Sequence, residues 1–99
     1  MSDWTAIEEE FLTVGTVRGG MLFLRPAEAI ALVHRAREAG RAVLGIEGFW
    51  ITEKATQPSM EHILNLSKAT REESWAEAER FLSMYAESGM MFEVVVEKA

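Results

Sequence analysis

Twice in this chain an amphipathic helical stretch runs into a glycine stop and then into an aliphatic strand, and that punctuation narrows its fold more than any other feature. The first unit opens at Pro26, whose missing N–H costs nothing in the first helical turn, and closes at Gly40. Between them Ala29, Leu32, Val33, Ala36 and Ala39 fall on one stripe, with Glu28, Arg35 and Glu38 opposite. "RAVLGI" follows, apolar with almost no alternation, as expected of a centrally placed strand. The second unit opens on Thr70-Arg71-Glu72-Glu73, the S/T-x-x-E form of a capping box. Its inward stripe is Trp75, Ala78, Leu82 and Tyr85 with Phe81 alongside, and Gly89 closes it. "MMFEVVVE" then alternates Phe92, Val94 and Val96 against Glu93, Val95 and Glu97.

Two further strands complete the pattern. "GGMLFL" reads as a strand entered through the Gly19-Gly20 turn, and "HILNLS" as a short strand after the polar loop "EKATQPS". "GFWIT" either continues the central strand or returns as the second arm of a tight hairpin. The first dozen residues suit a short helix with Trp4, Ile7 and Phe11 on one side. The order predicts an α+β fold of βαββαβ layout, ferredoxin-like or close to it, with two helices on one face of a mixed or antiparallel sheet. Residues 1–99 are expected to form one two-layer domain, with 1–18 as an N-terminal helix or extension and 19–98 as the core. The helix stripes would cover the Phe92, Val94 and Val96 side and leave Glu93 and Glu97 on an open face.

Composition limits what such a domain does. A 99-residue chain that is 48% apolar can bury a single core. With no cysteine it has no disulfide, thiolate metal site or catalytic thiol, which fits a reducing compartment. The acidic start "MSDWTAIEEEF" is unlike a secretory signal, and no run of about 18 apolar residues is present, so a cytoplasmic protein is expected. Sixteen acids against ten bases give a net charge of -6, which disfavours direct contact with nucleic acid and suits a basic partner.

Residues able to do chemistry are few. His34 sits on the flank of the first long helix. His62 follows Glu61, but adjacent strand residues point to opposite faces, so the two form no local pair. Two distant histidines give no metal-ligand spacing, and "GIEG" lacks the lysine of a phosphate loop, so neither a metal nor a cofactor is expected. Gly45 and Gly48 serve the backbone as a close approach and as a turn or bulge. Phe49 and Trp50 point oppositely in a strand, so one fills the core and the other lies on the open face or an edge.

Four segments, "VLGIEGFWI", "QPSMEHILNLS", "SWAEAERFL" and "MMFEVVVE", together resemble small bacterial immunity proteins of the colicin or polymorphic-toxin type. The resemblance spans most of residues 26–97 and rests on structural motifs. It implies a non-catalytic, cytoplasmic inhibitor that binds and blocks a toxin; it assigns no contact residues. From the residues themselves, the surface expected to bind a basic toxin domain comprises Glu47, Trp50, Glu53, Glu61, Glu93 and Glu97. Two other classes fit the same layout: a small-molecule-binding or regulatory domain that forms a homodimer through its open face, and a small enzyme using His62 with a carboxylate.

Overall fold

The computed structural model describes residues 4–98. Its elements run α1 (Ala6–Glu9), β1 (Thr16–Arg18), β2 (Met21–Phe23), α2 (Pro26–Glu38), β3 (Val43–Ile51), β4 (Thr56–Asn65), α3 (Arg71–Met84) and β5 (Met91–Val96). The fold is α+β, with two antiparallel sheets and three helices among the described residues.

β3 is the central strand, flanked by β4 and β5, and it continues to Ile51 without turning back at Gly48. β1 and β2 form a hairpin joined to this sheet by a single bridge, in which Leu24 and Phe92 exchange backbone bonds of 2.8 and 2.7 Å. The ferredoxin-like order expected from the sequence is therefore not the one adopted. The ferredoxin-like sheet is also antiparallel, but it sets its first and third strands side by side at the centre; here the corresponding β2 and β4 lie at opposite edges, with β5 and β3 between them.

The two long helices form over the predicted stretches and lie side by side, α2 against β5 and α3 against β3. The core between helices and sheet gathers Leu22, Leu24, Leu32, Val33, Ile46, Leu82, Met90, Phe92, Val94 and Val96. Ala39 departs from its predicted stripe because it is the residue that ends α2, and it is exposed. The capping box at Thr70 forms, with Glu73 and Thr70 each satisfying the other's backbone N–H. Ser74, fully buried one turn in, takes the Val43 N–H at 3.1 Å and donates to the Arg71 carbonyl, tying α3 to the start of β3. Trp75 adds an indole bond of 2.8 Å to the Arg41 carbonyl. His34 of α2 meets Glu79 of α3 on the outer surface.

One strand, and the outer part of another, were hidden in the sequence. β1, the outer arm of a hairpin, turns through Gly19 and Gly20, whose φ of 57° and 77° match the two left-handed positions of a type I′ turn. The predicted polar loop over residues 53–59 is in fact the turn and outer arm of the β3–β4 hairpin, with strand already begun at Thr56. β4 tolerates Pro58 because it is an edge strand. Thr52 bonds to Ala55, so alternation turns the Pro58 nitrogen away from β3, and no ladder bond is lost.

Between the pairs Glu47↔Ile63 and Phe49↔Pro58, the single residue Gly48 faces four residues of β4, Ser59 to His62. The bulge works because Gly48 has no side chain. A Cβ there would lie 2.7 Å from Met90 Cε, 2.9 Å from His62 Cβ and 3.1 Å from Phe92 Cε1. Gly48→Ala is expected to destabilise the domain by about 1–3 kcal/mol through overpacking, measured as a lower urea midpoint at unchanged slope.

Candidate partner-binding face

Cross-strand partners in a sheet share a face, so the register fixes what lies on the side away from the helices. One row reads Glu93, Glu47, Ile63 and the next Val95, Gly45, Asn65. A third row, Met91, Phe49, Pro58, is closed off, for Phe49 is 5% exposed and its ring meets that of Phe23 edge-on at 4.8 Å. Beside it the β1–β2 hairpin reaches the β3–β4 turn, where Arg18 donates to the Ala55 carbonyl and the Thr56 hydroxyl. The face is thus open only over its first two rows. There Leu44, Ile63 and Val95 are exposed, and a shallow depression runs across Gly45 between them.

Glu47 and Glu93 stand directly opposite each other, an arrangement that destabilises a sheet unless something positive lies nearby. Among the described residues no Lys or Arg pairs with either. Partial burial pushes the Glu93 carboxyl above the usual carboxylate range, and the charges of Glu47 and then Glu8 add to the effect. Glu8 reaches this neighbourhood from α1, where its side chain is also the reciprocal half of a capping box with Thr5.

The six residues expected to form one binding surface are not all brought together. Glu47 and Glu93 are adjacent. Glu97 lies just past the end of β5 and is occupied: it accepts from the Ala42 N–H at 3.1 Å and from Arg71 at 3.1 and 3.4 Å. Those contacts, the backbone bond foremost, hold its carboxyl below the usual range. Trp50 is 45% exposed but points opposite to Phe49, hence away from the acidic row. Phe49, not Trp50, takes the side away from the helices, because Gly48 before it must face Met90 and Phe92. Glu53 lies in the hairpin turn and Glu61 in the β4 bulge, both exposed. Leu44 and Ile63 were not among the residues expected on this face, whereas the alternation of β5 already set Val95 beside Glu93.

The histidines are engaged in packing and local bonds. His62 Nδ1 lies 2.7 Å from Ser59 Oγ, and its ring sits edge-on to Tyr85 at 4.5 Å; its hydrogen-bond partner is a hydroxyl, not a carboxylate. Elsewhere a groove between α1 and the end of α2 is lined by Trp4, Ile7, Glu10, Arg35, Arg41 and Lys98, and within it Arg35 forks onto Glu10 at 2.8 Å. Among the described residues no three His, Cys, Asp or Glu gather as a metal ion requires, and no helix is long and apolar enough to cross a membrane.

Comparison with protein-family models, curated proteins and solved structures gives no match to this chain.

Glu93 in β5 and Glu97 just beyond it should respond oppositely to neutralisation. Glu93 holds its proton more tightly folded than unfolded, so its contribution favours folding below the ordinary value of 4.5 and is lost as pH rises through the raised folded-state value. Glu97 favours folding above 4.5, and that contribution is lost as pH falls through its lowered value. Glu93→Gln is expected to raise Tm at neutral pH, and Glu97→Gln to lower it. Thermal melts from acid to neutral pH should show both differences shrinking toward the acid end.

Proposed function

We propose that this protein is a non-catalytic binding module that captures and blocks a basic protein through the open sheet face, in the manner of the bacterial immunity proteins its sequence resembles. The observation that supports this most is the unneutralised pair Glu47 and Glu93, partly desolvated and bordered by exposed Leu44, Ile63 and Val95. Apolar area with embedded charge of one sign is what a partner of opposite charge would cover. Its cations would relieve the Glu47–Glu93 repulsion while its apolar atoms bury the three aliphatics. The net charge of -6 favours the same class of partner at long range. The absence of cysteine fits action in the reducing cytoplasm. A toxin whose substrate site is basic is the partner these features suit best, and Trp50, Glu53 and Glu61 would lie outside the primary contact.

The test is affinity capture from the native host with wild-type and Glu47→Lys/Glu93→Lys baits, at low and high salt. The expected result is one basic protein held by wild type, released as salt rises, and lost from the reversed bait. Expressed alone, that protein should arrest growth, with rescue by the wild-type domain. Capture that survives the double reversal would overturn the reading, and so would a captured partner with no toxicity of its own.

A further inference from the structure

β4 is the outer strand of the three-stranded sheet, and among the described residues nothing pairs with its far side. The ladder tells which groups are left over. Leu66 N–H donates to the Leu44 carbonyl at 2.9 Å. In an antiparallel pair, the N–H and C=O of one residue point the same way and successive residues alternate. Leu64 therefore bonds inward to Ile46, while the N–H and C=O of Ile63 and Asn65 point outward. Natural edge strands are blunted with proline, lysine or bulges. The hairpin end of β4 has such protection in Pro58 and the Ser59–His62 bulge. The stretch from Ile63 to Asn65 has none, and its Ile63 side chain is 43% exposed.

We infer that this stretch accepts an extended segment of the partner as an added strand, with a lysine or arginine on the side that lies over the open face. The inference rests on the partner-binding reading of that face and supplies its mode. A strand beside β4 would place one residue next to Ile63, two strand spacings or about 10 Å from Glu47. An extended lysine or arginine crosses that gap over Ile63 and meets the carboxylate, while the backbone of the segment takes up the outward groups of Ile63 and Asn65. Charge chooses the occupant. A second copy of this chain would bring its own net charge of -6 to the same edge, whereas a basic segment neutralises the Glu93–Glu47 row.

The probe is a fluorescein-labelled octapeptide of alternating lysine and valine, with the same peptide methylated at every backbone nitrogen as control. Fluorescence anisotropy should show the unmethylated peptide binding wild type at least about tenfold more tightly than the methylated one, and about tenfold more tightly than it binds Glu47→Lys. Binding should slow amide exchange at Ile63 and Asn65 but not further at Leu64. Ile63→Pro, which removes an outward N–H as Pro58 does, should weaken binding without altering the β3 ladder. Equal affinity for both peptides, each weakened by Glu47→Lys, would overturn strand addition and leave the acidic-face reading standing. Equal affinity with no dependence on Glu47 would overturn both, and no binding of the unmethylated peptide would overturn strand addition. A wild-type dimer that Ile63→Pro converts to monomer would assign the edge to a second copy and overturn the proposal.

Discussion

The structure depends on β3 being paired along both edges. A strand with ladders on each side and α3 on one face cannot move without breaking all three contacts, so its register sets that of the whole sheet. Ser74 links this strand to the helical layer, since its hydroxyl receives the Val43 N–H at the point where β3 begins. The small side chains of the strand then decide what each face becomes. Gly48 lets Met90, His62 and Phe92 close in on the helical side. Gly45 leaves the opposite side low between Asn65 and Val95.

From that frame the asymmetry of the two sheet faces follows. One is filled by the alternating Phe92, Val94 and Val96 and by the helix stripes. The other is sealed at only one end, by Phe49 against Phe23, and the rest keeps two opposed carboxylates among aliphatic side chains. A protein selected for stability alone would gain by replacing one member of that pair, because like charges across a ladder repel and partial burial sharpens the repulsion. Sites that give up stability in this way are where natural sequences depart from local consistency for the sake of binding.

The helices were legible because their signals are local. Pro26, Gly40 and the Thr70 box each act within one turn of the chain, and the stripes between them have the right period; Gly89 is not the stop of α3, which ends at Met84 with Tyr85 as its cap. β5 was legible from its alternation. The sheet order was not, because only contacts distant in sequence decide which strands meet. Only the outer part of β4 was obscured: it is an edge with a solvated side and a bulge, and Pro58 reads as loop, whereas "HILNLS" shows the inner part. At the site, Glu47 and Glu93 could be placed on one face, but the assignment of Trp50 depended on the phase of β3 at Gly48, which the aromatic pair alone does not reveal. Glu97 shows a related limit, for nothing near it in sequence announces Arg71 or the Ala42 N–H.

The excess of residues in β4 opposite Gly48 separates the hairpin into two independently registered lengths. The inner length is locked to the Glu47 row, and the outer one carries the turn, Pro58 and Trp50. Residues gained or lost in descendants of this chain beyond the bulge would change the reach of the arm without rotating Ile63 or Asn65 off their faces. The length of the arm and the place of the row beside it are therefore set separately.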